Sequence, residues 1–256
     1  MYTHKTLKYK ALLVDVDGTL MVATPTGVPT KKVLHAMDRA SKFLHVGLAT
    51  SRCILNTAYI LDMLKLSGPS ILEGGACIYD AAKRKSLSEQ VLTPENLKPL
   101  QSLLIDSGLE FEYCDNVGDH MKFPKSGKVP KKAFMVFSQG VDNDHAKRIT
   151  LQLTANMDAA IHTTNSWTKG KTDILITHPQ ATKQHGILEV AKILGIETHE
   201  IIGVGDGNND FPLLMACGLK IAMGNAGDDL KAIADYVAPD VSEDGLAHVI
   251  EKFILN

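Results

Sequence analysis

The stretch Lys10-Ala-Leu-Leu-Val-Asp15-Val-Asp17-Gly18-Thr19-Leu20 decides the fold of this chain. Its first half is a short continuous apolar run, which suits a strand buried on both faces of a parallel sheet. The run delivers Asp15 at its C-terminal end, and Asp17 follows just before Gly18. In open α/β sheets ligands bind at that end of the strands. Gly18 takes backbone angles closed to other residues, so the chain can turn sharply and face both carboxylates to one pocket. Alone, Asp-x-Asp-Gly is more often a solvated turn. The apolar strand feeding into it argues against solvation, and the case then needs independent partners elsewhere.

Working outward, a helical pattern over about residues 30–43 leads to the apolar run His45-Val-Gly-Leu-Ala49. A helix over about 53–66 and the short run Ser70-Ile-Leu72 complete a βαβαβ order. The last third resumes the alternation, with helices over about 183–194, 210–216, 228–234 and 242–254. Strands are expected between them at 201–205, 219–223 and 236–238. Gly195 and Gly218 stand where helix-ending glycines belong. Between the two blocks the pattern changes to αββ repeated twice: a helix over 94–107, strands over 109–114 and 133–138, a helix over 144–155, and strands over 159–164 and 172–177. The expected architecture is a Rossmann-like doubly wound parallel sheet, residues 1–84 and 179–256, with an inserted α+β cap domain, residues 85–178.

The 256 residues, 45% hydrophobic and 22% charged, suffice for a sizeable core at a length where one domain commonly becomes two. A formal charge of −2 offers no global attraction to nucleic acid or anionic membrane, so any anion site must be local. Residues 1–10 are polar and the following apolar run is too short for a signal peptide, and no stretch approaches membrane-spanning length. Cys53, Cys77, Cys114 and Cys217 are far apart in sequence, with no Cys-x-x-Cys pair and no histidine at zinc-finger spacing. Neither a zinc site nor a disulfide framework is indicated, and reduced thiols in a cytoplasm are the expectation.

A second acidic constellation, Gly203-Val-Gly-Asp206-Gly-Asn-Asn209-Asp210, again follows an apolar strand and opens a helix. Asp206 and Asp210 are four apart, a spacing at which both can turn toward one hard cation. Caps and turns explain the asparagines and glycine but not the repeated acids. Clustered carboxylates at two strand ends repel unless a cation or protons intervene, and Mg²⁺ suits oxygen-only ligands with retained waters. Lys183 follows Thr182, which has the look of an N-cap, and a lone lysine is usually a solvated charge. Ala49-Thr50-Ser51-Arg52, at the second strand's end, offers a hydroxyl and helix-start N–H groups to a phosphoryl oxygen.

Taken in order, Asp-x-Asp-Gly-Thr-Leu, Ala-Thr-x-Arg, a lysine and Gly-Asp-Gly-x-Asn-Asp resemble the haloacid dehalogenase-like superfamily over nearly the whole chain. The resemblance is to its Cof-type sugar-phosphatase branch, which carries an α/β cap between the second and third motifs. It implies a Mg²⁺-dependent phosphatase acting on small phosphate esters through a covalent aspartyl-phosphate. Carried over by position, Asp15 is the nucleophile, Asp17 the general acid and base, and Lys183 a charge stabiliser. Thr50, Ser51, Arg52, Gly18 and Asn209 are the implied phosphate or substrate contacts, and Asp15, Asp17, Asp206 and Asp210 the metal site, Asp17 through its backbone carbonyl. Ser51 and the Glu73-Gly74-Gly75-Ala76 segment depart from the common pattern and bear on substrate preference rather than on the reaction.

A phosphomutase such as a phosphomannomutase shares the same chemistry and is the nearest rival. A receiver-like signalling module is shorter and lacks a cap. The loop with Lys122, Lys125, Lys128, Lys131 and Lys132 is expected to be solvated. The sharper alternative has one or two of these lysines, or Arg52, reaching a substrate anion. His162, Asn165 and Trp167 are further candidates for substrate contact, although each type is more often packing. The expected partner is a small phosphate ester, with no nucleic acid or membrane, and the expected state a monomer or homodimer.

Overall fold

The apolar run ahead of Asp15 forms strand β1 (Ala11–Val14), with all four residues fully buried. In the computed structural model, which describes residues 8–24, 26–115 and 120–256, it is followed by α1 (Lys31–Ala40), β2 (His45–Leu48), α2 (Ile54–Leu64) and β3 (Pro69–Leu72). Next come β4 (Cys77–Asp80), β5 (Lys85–Glu89), α3 (Pro94–Leu104), β6 (Glu112–Cys114), β7 (His120–Lys122) and β8 (Met135–Asp142). Then follow α4 (Asn143–Asn156), β9 (Ala160–Asn165), β10 (Lys171–Thr177), α5 (Lys183–Leu194) and β11 (Ile201–Gly205). The chain closes with α6 (Phe211–Ala216), β12 (Leu219–Ala222), α7 (Asp228–Ile233), β13 (Tyr236–Val237) and α8 (Gly245–Ile250). Of the polar stretch 1–10 considered as a leader, residues 1–7 lie outside the described residues.

The main sheet is parallel, in the order β13-β12-β11-β1-β2. Successive residues of a strand point to opposite faces. Accordingly Leu12 and Val14 join a core with α1, α2 and α8, through residues such as Met37, Ile60 and Leu246. Ala11 and Leu13 join another with α5, α6 and α7, through Ile187, Leu213 and Leu230. Helices on both faces of a parallel sheet make this a doubly wound α/β fold. Val14 stands opposite Leu48 on one side and Val204 on the other, so Asp15, the Ala49-Thr50 segment and the Gly205-Asp206 segment emerge together at one edge.

The run Ser70-Ile-Leu72 forms a strand but does not continue this sheet as a third paired strand. It touches β2's end through the single bridge Ala49↔Ile71 and pairs antiparallel with β4, which pairs with β5. Glu73, Gly74 and Gly75 all have positive φ (53°, 67° and 112°) and reverse the chain there. Two of these left-handed positions are glycine, where the conformation costs least.

A second five-stranded sheet, β7-β6-β8-β10-β9, is antiparallel throughout. One face is covered by α3 and α4 through Leu97, Leu100, Ile149 and Leu153. It contains β7, a strand beyond the expected twice-repeated αββ, and three residues at a sheet edge leave no periodic signal. Its other face brings Cys114, Met135, Phe137 and Leu175 against Cys53, so the two sheets meet over the strand ends of the first.

Candidate active site

Asp15 leaves β1 with only 6% of its surface exposed. Thr182 caps α5 by accepting the His185 N–H, which fixes Lys183 as the first helical residue. Lys183, 2% exposed, donates to Asp15 Oδ1 at 2.6 Å and to Asp210 Oδ1 at 2.5 Å. Asp210 is fully buried, and its Oδ2 accepts the N–H groups of Asp206 (3.0 Å) and Gly207 (2.9 Å). Asp206 in turn accepts Thr19 Oγ1 at 2.9 Å and Asn225 Nδ2 at 3.1 Å. Asn225 also donates to the Gly18 carbonyl at 2.8 Å and so ties the first turn to the third. Thr19 belongs to the first motif, whereas Asn225 does not stand out in the sequence.

Ligand oxygens of Asp15, Asp206 and Asp210 lie within 4.8 Å of one another. Burial raises the Asp15 pKa well above the usual carboxylate range, with the Asp210 charge adding to it and Lys183 opposing it. Asp206 is pushed up to about 7, first by burial and then by Asp210. For Lys183 burial opposes the charge, but Asp15 and Asp210 outweigh it and raise its pKa. Three acids against one lysine leave an excess of negative charge, and the donors are all hard oxygens, a set that fits a divalent cation such as Mg²⁺. Gly18 has φ 84°, and a Cβ there would lie 2.2 Å from Asp206 Oδ2, so only glycine lets the first turn approach this cluster.

Thr50 is buried, and its hydroxyl oxygen accepts the Arg52 N–H at 3.1 Å. Ser51 accepts from Asn209 Nδ2 at 3.1 Å, linking the second-strand turn to the Asp206 turn. Arg52 is buried and forks onto Asp17, Nε to Oδ2 at 2.7 Å and Nη2 to Oδ1 at 2.6 Å. Its remaining N–H groups reach the Thr24 carbonyl, the Asn56 carbonyl and the Tyr59 hydroxyl. A guanidinium has five N–H donors, and here all five are engaged within the protein.

Asp15, Asp17, Thr50, Ser51, Arg52, Asp206 and Asn209 line one side of a solvent-open cleft between the two sheets. The facing sheet contributes His120, Gln139, Thr164, Asn165, Trp167 and Asp173. Trp167 lies over the Arg52 guanidinium, 5.3 Å from ring centroid to Cζ, and its Nε1 is 3.5 Å from Asp17 Oδ1. His162 instead hydrogen-bonds Thr177 Oγ1 and the Ala181 carbonyl, away from the cleft lining. None of the five loop lysines lines the cleft among the described residues. Lys125 pairs with Glu110 and Lys132 with Glu89.

The family model of haloacid dehalogenase-like hydrolases matches residues 12–133 and 119–250. The chain is 25% identical over 260 residues to 5-amino-6-(5-phospho-D-ribitylamino)uracil phosphatase YcsE of Bacillus subtilis, covering 96% of each chain. It is 27% identical over 251 residues to phosphoglycolate phosphatase 1 of Saccharolobus solfataricus, again covering 96% of each. Among solved structures, a haloacid dehalogenase-like hydrolase from B. subtilis superimposes with a TM-score of 0.80 at 19% identity, over 95% of this chain and 99% of that one. A subclass IIB sugar phosphatase of the same superfamily gives 0.77 at 22% identity, over 95% and 98%. The chain belongs to the haloacid dehalogenase-like hydrolase family and is an enzyme of the phosphatase kind.

Proposed function

We propose that this chain hydrolyses small phosphate monoesters, sugar phosphates foremost, with Mg²⁺ as cofactor and through a covalent aspartyl-phosphate on Asp15. The observation that carries the reading is the position of Asp15. It lines the cleft, while Lys183, held at 2.6 Å and buried behind it, does not. A carboxylate presented to a ligand and balanced from behind is the arrangement of an activated nucleophile.

The roles follow from reach. Asp15 attacks phosphorus in line; the bond to the leaving oxygen breaks, and Asp17 supplies the proton that oxygen needs. Asp17 then takes a proton from water as the water attacks the phosphorus, the bond to Asp15 breaks, and inorganic phosphate leaves. Thr50 and Ser51 bind phosphoryl oxygens at the start of the turn, with Asn209 positioning Ser51. Arg52, with every donor engaged, positions Asp17 rather than binding the ester.

Asp15 and Asp206 would hold the cation through carboxylates and Asp17 through its backbone carbonyl. Asp210, both of whose oxygens are engaged, adds negative charge and fixes the Asp206 turn. When bound, Mg²⁺ offsets the charge gathered among these acids and the phosphoryl group.

Residues 1–84 and 179–256 act as the catalytic body, and 85–178 as a cap whose Gln139, Thr164, Asn165 and Asp173 meet the alcohol portion of the ester. The proposed setting is the cytoplasm, with the chain working as a monomer or homodimer. Among the described residues no helix is long and apolar enough to cross a membrane.

Phosphate release from a panel of phosphorylated metabolites, with Mg²⁺ and with chelator, tests the reading. Release that requires Mg²⁺ is expected. No release from any ester, or release unaffected by chelator, would overturn it.

A further inference from the structure

Where the second sheet meets the first, three side chains converge that the phosphatase chemistry does not use. Cys53 follows Arg52 and caps the start of α2, while Cys114 and His120 stand directly opposite one another on β6 and β7. Directly opposed residues of an antiparallel pair project to the same face. Both therefore reach Cys53 from the other sheet, and the Sγ atoms of Cys53 and Cys114 and a ring nitrogen of His120 all lie within 4.8 Å of one another. Cys53 Sγ is 3.4 Å from His120 Nε2.

Tetrahedral zinc with ordinary Zn–S and Zn–N bonds of about 2.3 and 2.0–2.1 Å sets its sulfur and nitrogen ligands roughly 3.6 Å apart. The observed spacing needs only a small adjustment to meet that. The other ring nitrogen, Nδ1, lies 3.6 Å from Glu112 Oε2, two residues before Cys114 on β6. A carboxylate behind a histidine is the usual support for a ligating imidazole, since it fixes the ring and raises its basicity. Two thiols, one imidazole and a carboxylate behind it form a soft-metal ligand set, poorly matched to Mg²⁺.

We propose that Cys53, Cys114 and His120 form a zinc site that ties the cap sheet to the catalytic sheet and inhibits turnover. Cys53 and His120 line the cleft, so the cluster borders the ligand space. One ligand comes from the turn that carries Arg52 and two from the facing sheet, and a metal joining them restrains the opening through which an ester enters and phosphate leaves. The site itself is independent of the phosphatase reading; its inhibitory effect rests on it.

The test uses the full chain, with Co²⁺ and Zn²⁺ as probes and with Cys114→Ser and His120→Ala as variants. Co²⁺ binding is expected to give a thiolate-to-cobalt charge-transfer band that Zn²⁺ abolishes, weakened or lost in both variants. With Mg²⁺ in excess, Zn²⁺ is expected to inhibit the wild type, and each variant to need at least about tenfold more Zn²⁺. The band is read without turnover, so a failed phosphatase reading leaves it intact. His120→Ala removes a partly exposed side chain and keeps the test open if Cys114→Ser does not fold. Absence of the band in the wild type, or equal Zn²⁺ sensitivity in all three proteins, overturns the proposal. Equal sensitivity would assign the inhibition to the aspartate cluster.

Discussion

Arg52 grips both carboxylate oxygens of Asp17, at 2.6 and 2.7 Å, and holds no N–H in reserve for a ligand. Planar two-point pairing of this kind fixes orientation as well as charge. For Asp17 to hand a proton to a leaving oxygen, one side of the fork must loosen as the ester binds. The contact of Trp167 with both residues puts a cap side chain at the point where that happens.

Arg52→Lys is therefore expected to lower kcat by about 10²-fold or more, within the range of a general acid–base contribution, with little change in KM. The loss should be larger for alkyl phosphates than for aryl phosphates, whose leaving oxygen needs no proton. A rise in KM at constant kcat would return Arg52 to direct substrate binding.

Lys183 is buried between Asp15 and Asp210, and removing it leaves two carboxylates facing each other out of water. Breaking a buried pair by deleting one partner costs about 3–5 kcal/mol. Lys183→Met should lose stability of that order in urea denaturation at neutral pH with chelator present, and adding Asp210→Asn should restore part of it. Unchanged stability in Lys183→Met would show that the cluster balances its charge by other means.

Glu73 is buried at the reversal after β3, with Oε2 lacking a hydrogen-bond partner. Burial first, and the nearby Cys53 next, push its pKa from 4.5 up to about 8. The folded state then holds a proton that the unfolded state releases across that interval, so stability is greatest below pH 4.5 and falls as pH rises toward 8. Glu73→Gln keeps the amide-sized side chain and removes the titration. Melting temperatures measured across this interval should decline less in the variant than in the wild type; parallel declines would assign the dependence to other groups.

Much of this was legible in the sequence, because strand ends and acids lie within single short segments. The apolar run before Asp15, the Asp206 turn and the Thr182 cap ahead of Lys183 each carry their own local signal. Asn225 carries none. It follows β12 in an ordinary Gly-Asn turn, and only the pairing of β12 with β11 brings it beside Asp206. The partners of Arg52 come from Asp17, Thr24, Asn56 and Tyr59, on both sides of it in the chain, so its full engagement appears only once the fold closes. The β4-β5 hairpin escaped for a different reason. β5 is Lys-Ser-Leu-Ser-Glu, polar and partly exposed, and lacks the buried alternation that marks a strand.

The central claim is that Asp15 carries the phosphoryl group, and acid quenching during turnover of an ester radiolabelled in its phosphoryl group tests it most directly. The account predicts protein-bound label on the peptide containing Asp15, and in Asp15→Asn the loss of both label and turnover with the fold intact. Full wild-type turnover with no label on that peptide, or near wild-type turnover in Asp15→Asn, would contradict it.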